Sequence, residues 1–161
     1  MRILHVITSL HTGGAEKLMV DLLPRFKSMG HVVDLLLFDG TRTPFYKELE
    51  KAGIKIDFLS VGGNVYNLLN IFRLKPYLKR YDIIHTHNTA CQYFIAIASI
   101  LFKRNAQLIT TEHSTHNRRR DIIGFSYIDK LIYKQYNKII SISKKVDEIF
   151  NDISEINTLV L

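Results

Sequence analysis

Between Ser9 and Gly14 the segment SLHTGG joins a strand-like run, Arg2–Thr8, to an apolar helix pattern that begins at Ala15. A strand that feeds a glycine turn and then a helix start aims several unpaired backbone N–H groups, with the positive end of the helix dipole, at one point. That is chemistry for an anion, above all a phosphate. The turn is neither G-x-G-x-x-G nor G-x-x-x-x-G-K-[ST], because Lys17 follows Glu16 and not a second glycine. A tight strand-to-helix turn without a ligand accounts for the same residues. Gly14 is expected to stay small, with φ > 0, because the backbone approaches the phosphate there.

Other polar groups gather where later strand-like runs end. The stretch TTEHSTHNRRR follows the fifth run, and its His113 can donate to a sugar hydroxyl or a phosphate without any metal. The fourth run delivers His85, His87 and Asn88. His85 and His87 are expected on opposite faces, a poor pair for a metal, and either also reads as a packed strand-end histidine. Glu16, in the first helical turn, can hold an acceptor hydroxyl or simply complement the helix dipole. Glu112 beside His113 is a candidate base, but no second carboxylate has a recognisable partner spacing, so paired-carboxylate glycoside hydrolysis is unsupported.

These groups need a scaffold, and length and composition bound it. With 161 residues, 47% hydrophobic and 11% aromatic, one good core and a single domain over 1–161 are expected. No apolar run reaches the roughly 18 residues of a membrane span, and the opening run is broken by His5, Thr8 and His11. Cys91 is the only cysteine and no Cys/His cluster has zinc spacing, which fits a reducing, cytoplasmic setting. The 22 Lys+Arg against 15 Asp+Glu give +7, which suits an anionic partner or plain solubility. Arg73, Lys75, Lys79 and Arg80 form one basic cluster and Arg118–Arg120 another. Each is a solvated face or a seat for an anionic surface or substrate, such as the inner face of a plasma membrane. Nucleic acid is disfavoured, because the aromatics sit in core-like patterns and are not interleaved with the cations.

Strand-length runs recur at Arg2–Thr8, Val32–Phe38, Ile54–Leu59, Asp82–Thr86, Gln107–Thr111 and Lys138–Ile142, with Asn157–Leu161 opening a seventh. All but the third are nearly unbroken Val/Ile/Leu patterns, as strands covered on both faces require. Between them the spacing predicts helices from Ala15 to near Gly30, with a kink near Val20 to Pro24, and over Phe45–Ala52, Asn64–Leu74, Thr89–Phe102, Ile122–Tyr136 and Lys144–Phe150. The third of these should turn Val65, Leu68, Leu69 and Phe72 to one face, and Thr89–Phe102 should be the most buried. Such alternation calls for right-handed crossovers and a doubly wound parallel sheet in a three-layer α/β domain. Ligands then bind outside the carboxyl ends of the strands, where the first, fourth and fifth turns should converge on one crevice.

In order, the segments ILHVITSLHTGGAEKLMVDL, YDIIHTHNTA, LITTEHS and KIISISKKV resemble the N-terminal, acceptor-side half of a family 4 glycosyltransferase, a retaining enzyme of the GT-B fold. The resemblance implies a Rossmann-like domain whose partner half binds the nucleotide sugar. It implies that Gly13 and Gly14 approach the donor diphosphate and that His113 touches the donor sugar and stabilises the transition state. Glu16 matches the acid of the family's GGAE-like motif, and Ser143 the serine that begins the half's last helix. Glu16, His87, Asn88, Glu112 and Arg118 are then the candidate acceptor contacts, for a glycan, lipid-linked or small-molecule acceptor, with no metal or other cofactor. The donor-binding C-terminal domain is expected to lie outside the chain, which should be inactive alone. A stand-alone anion-binding or regulatory α/β domain, and a membrane-recruiting subunit of a split enzyme, are the competing readings.

Overall fold

A computed structural model describes residues 1–112, 125–141 and 158–160. It holds one seven-stranded sheet, every pairing parallel, in the order β3-β2-β1-β4-β5-β6-β7. The strands are β1 (Arg2–Ile7), β2 (Val32–Asp39), β3 (Lys55–Ser60), β4 (Ile83–Thr86), β5 (Gln107–Glu112), β6 (Lys138–Ser141) and β7 (Thr158–Val160). The helices are α1 (Gly14–Ser28), α2 (Pro44–Lys51), α3 (Leu69–Leu74), α4 (Tyr77–Arg80), α5 (Thr89–Leu101) and α6 (Phe125–Tyr133). The doubly wound α/β fold expected from the alternation is the fold observed, and the seventh strand is present.

The central strands are covered on both sides. In β2, Leu35, Leu36, Leu37 and Phe38 are all fully buried, which only a strand with helices on both faces can achieve. One core gathers Met19, Val20 and Leu23 of α1 with Tyr46 and Leu49 of α2. The other gathers Leu74, Leu78, Phe94, Ile95, Ile132 and Tyr133 from α3 to α6. β1 feeds both, Leu4 and Val6 entering the second and Ile7 the first. β3, the edge strand, has no fully buried residue, which explains why its pattern is the broken one.

Local signals account for the helix limits. α1 runs on through Pro24 to Ser28. Gly30, at φ 85°, then turns the chain toward β2, a conformation an L residue resists. α2 is capped by Thr43, whose hydroxyl accepts from the Tyr46 N–H at 3.2 Å. α5 buries Cys91, Gln92, Phe94, Ile95, Ala96 and Ala98, as an all-round apolar helix should. No described helix is long and apolar enough to cross a membrane.

The segment expected to be one helix over Asn64–Leu74 is corrected. The Asn64 carboxamide accepts from the Tyr66 N–H at 2.9 Å and that of Asn67 from the Leu69 N–H at 3.0 Å. These side-chain bonds hold 64–68 in turns and delay the helix to Leu69. The face inverts as a result. Asn70, Ile71 and Leu74 are buried, while Leu68, Leu69 and Phe72 are 70%, 58% and 63% exposed.

Candidate functional site

The order in which strands are added reverses across the sheet between β1 and β4. From β1 the chain goes to α1 and β2 on one side, whereas β4 continues through α5 to β5 on the other. Adjacent strands whose crossovers leave in opposite directions open a crevice at their carboxyl ends. Both anion-turn and histidine segments lie there. Asn88 ties them together, its Oδ1 accepting from the Thr8 N–H at 3.0 Å and from Thr8 Oγ1 at 3.4 Å. The His87 N–H donates to the Val6 carbonyl at 3.0 Å. Asn88 is also the N-cap residue of α5, without a side-chain cap bond, because its carbonyl oxygen is spent on Thr8.

Gly13 is the N-cap of α1, with extended φ −175° and ψ 168° and no side-chain cap bond. Its carbonyl accepts from the Lys17 N–H at 2.9 Å, so Gly14, Ala15 and Glu16 hold the N–H groups that a helix start leaves over. The expectation that Gly14 needs φ > 0 fails: it is the first residue of α1, and the positive-φ glycines among the described residues are Gly30, Gly53 and Gly62. Nothing lies within 4 Å of where a Gly14 side chain would begin. At Gly13 the added Cβ would collide with the Glu16 carboxylate, which folds back over the turn. That carboxylate stands where an incoming anion would meet the helix start, satisfying the dipole meanwhile.

Beneath the crevice three imidazoles meet, and here a second expectation is overturned. Side chains alternate along a strand, so residues two apart share a face. His85 and His87 therefore lie together, ring centroids 4.1 Å apart, not on opposite sides. His5, directly opposite His85 in the β1–β4 register, adds a third ring, 5.2 Å from that of His87 and stacked on it. One nitrogen from each of the three lies within 4.8 Å of the others, close enough to be weighed as a metal trio. The closest pair is already joined, His5 Nδ1 to His87 Nε2 at 2.9 Å, and His85 Nε2 shares a hydrogen bond of 2.7 Å with Thr111 Oγ1. Burial pulls the His5 pKa down to about 4, so the ring is neutral at pH 7 and one proton serves the His5–His87 bond.

His85, His87 and Thr111 of this face, with Ile140 of β6 and Leu18, Leu22 and Phe26 of α1, line a cavity of about 240 Å³. Of the other sequence candidates, His87 is buried at 1% exposure and belongs to this layer. Glu112 points through the opposite face toward α6, where the Tyr133 hydroxyl donates to its Oε1 at 2.7 Å. The structure thus brings Gly13, Gly14, Glu16 and Asn88 to one rim and sets His87 and Glu112 below it. His113, Arg118 and Ser143, and the helix expected over Lys144–Phe150, lie outside the described residues.

Sequence reasoning missed His5, whose only signal was a lone imidazole in an apolar strand. It also missed Asp39, at the end of β2. Burial pushes the Asp39 carboxyl upward, but the Gly62 N–H at 2.8 Å, Thr41 Oγ1 at 2.8 Å and the Thr41 N–H at 3.1 Å outweigh it and hold the group below its ordinary value.

The family model described as Glycosyltransferase Family 4 matches residues 12–156. No curated protein sequence matches the chain. Several solved structures share its fold. A glycosyltransferase from Rickettsia africae is 22% identical, with TM-score 0.69 over 99% of this chain and 42% of that one. Anabaena Alr3699/HepE, in complex with UDP and glucose, is 18% identical, with TM-score 0.75 over 100% of this chain and 44% of that one. Sucrose-phosphate synthase from Thermosynechococcus elongatus is 13% identical, with TM-score 0.70 over 99% and 47%. The chain therefore spans less than half the length of each of these relatives.

Proposed function

The chain belongs to glycosyltransferase family 4, and from that premise we propose that it is the acceptor-side half of an enzyme that moves a hexose from a nucleotide sugar to a glycan, lipid-linked or small-molecule acceptor with retention. The observation that carries this reading is the start of α1 at the sheet's switch point, with no side-chain cap bond, clear space at Gly14 and only the Glu16 carboxylate over Gly13. In a transfer from a nucleotide sugar, negative charge grows on the leaving diphosphate. Fixed N–H donors at a helix start stabilise it without reorganising, and no metal is needed for that role.

In this reading Gly13 and Gly14 approach the diphosphate and the Glu16 carboxylate swings off the turn to accept a proton or hydrogen bond from the acceptor hydroxyl. His113 donates to the donor sugar, with its largest effect in the transition state. Asn88 and Arg118 face the acceptor. His87 and Glu112, held from below by His5 and Tyr133, act as positioning residues. The nucleotide is held by a partner half; the structural neighbour Alr3699/HepE is a complex with UDP and glucose. A surplus of seven positive charges favours an acceptor presented at an anionic membrane on the cytoplasmic side.

The test is to incubate the chain with UDP-, GDP- and ADP-sugars and follow both binding and release of nucleoside diphosphate. The expected result is a folded protein without turnover and without micromolar binding of any donor. Micromolar binding of any donor, or any transfer by this chain alone, would overturn the division of labour proposed here.

A further inference from the structure

We propose that His5, His85 and His87 form a binding site for one divalent transition-metal ion, Zn²⁺ above all, that clips β1 to β4 beneath the crevice. The ion serves the fold and not sugar transfer. The parallel register sets His5 directly opposite His85, and His87, two residues on, shares that face. Distance decides whether such rings are a packed layer or a ligand set. Zn²⁺ holds imidazole nitrogens at about 2.0–2.1 Å in a tetrahedron, which puts neighbouring nitrogens about 3.3 Å apart. His5 Nδ1 and His87 Nε2 stand 2.9 Å apart, and one nitrogen from each of the three rings lies within 4.8 Å of the others. No separation has to change by more than about 1.5 Å to reach that geometry, and small rotations about the side-chain bonds supply it.

Hydrogen bonding within the layer leaves a nitrogen over. His5 is 0% exposed and its Nε2 has no hydrogen-bond partner, an arrangement that buried polar groups avoid. The donor set selects the ion. Three imidazoles without a carboxylate among them suit Zn²⁺, Co²⁺, Ni²⁺ or Cu²⁺, whereas Mg²⁺ and Ca²⁺ take oxygen ligands. The ion replaces the His5–His87 hydrogen bond, and each ring then ligates through one nitrogen as a neutral imidazole. Thr111 Oγ1, 2.7 Å from His85 Nε2, fixes the His85 ring, as outer partners do around a metal-bound histidine. The cavity of about 240 Å³ reaches His85, His87 and Thr111, which gives an entry path and room for a water as the fourth ligand. Bound there, the ion ties together the two strands whose ends carry the glycine turn and Asn88.

Titration of the metal-stripped chain with Zn²⁺ and with Co²⁺ tests the site. One equivalent should bind with a dissociation constant of about a micromolar or tighter. Bound Co²⁺ should show the intense visible absorption of tetrahedral coordination, and the melting temperature should rise with the concentration of either ion. His85→Gln and His87→Gln should each weaken binding at least tenfold with the circular dichroism unchanged; should one of them fail to fold, the other and His5→Phe decide. His11→Asn and His31→Asn, which remove imidazoles outside the trio, should leave binding unaltered. No saturable binding, binding that survives His85→Gln and His87→Gln, or a weakly coloured octahedral Co²⁺ spectrum would each overturn the proposal. None of those results bears on the nucleotide-sugar test, which is read without added metal.

Discussion

Two glycine pairs follow strands in this chain, Gly13-Gly14 after β1 and Gly62-Gly63 after β3, and they do opposite work. The second pair is conformational. Gly62 sits at φ 63° and gives its N–H to the Asp39 carboxylate, closing a turn that the chain itself fills. The first pair has ordinary backbone angles, since Gly13 is extended and Gly14 helical, and it leaves clear space at Gly14 while the Glu16 carboxylate lies over Gly13. A glycine needed for its φ stabilises a fold, whereas one needed for empty space leaves room for a ligand.

The largest effect that sharpens this contrast is in acid, beneath the first pair. His5 keeps its ordinary pKa of 6.5 when unfolded and about 4 when folded, so the unfolded state binds more protons between those values. Its contribution is intact above pH 6.5 and is lost as pH falls toward 4, amounting to about 3 kcal/mol at 1.36 kcal/mol per unit. Chemical denaturation across pH 4–7 should show His5→Phe with a shallower loss than the wild type. Equal slopes would mean that the imidazole cluster is not what acid attacks. The Asp39 carboxylate beneath the second pair, held below its ordinary value of 3.8, acts in the same direction but only in stronger acid.

Next in size is the histidine proposed to act with the first pair. In the active enzyme His113→Ala should lower kcat and kcat/KM together by roughly a hundredfold, the loss seen when a preorganised donor to the transition state is removed. A rise in acceptor KM alone would instead make His113 a binding residue.

The comparison itself is broken or upheld by valine at each pair. Gly62→Val should cost about 1–2 kcal/mol of stability, because the left-handed backbone rejects a β-carbon, and should leave turnover unchanged. Gly14→Val should cost little stability, since nothing stands within 4 Å, and should cut turnover in the active enzyme at least tenfold. Thermal melts and steady-state rates on both variants separate the two roles. A crossed result would reverse the assignment.

Much of this was legible in the sequence, for local reasons. Five strands and α5 announce themselves as continuous apolar runs, because a strand or helix covered on all sides needs no polar face. The strand–glycine–helix segment around Gly13 was readable because its chemistry is confined to one short stretch of backbone. Family membership was legible for a similar reason, four short segments in a fixed order. The helix over Asn64–Leu74 was misread because its apolar spacing is genuine, while the competing bonds of Asn64 and Asn67 are invisible to a periodicity count.

What the sequence determined by itself, then, is the alternation of strands and helices, the doubly wound class and the position of the anion turn, all set by neighbours along the chain. Only the tertiary structure decided which faces those elements present. Strand order β3-β2-β1-β4 places His5 opposite His85, 80 residues away. The same packing puts Thr111 under the crevice and turns Glu112 to Tyr133 on the other side. It also leaves Leu68 and Phe72 facing solvent. A side chain's face depends on which helices cover which side of the sheet, and that is fixed by contacts between segments far apart in the chain.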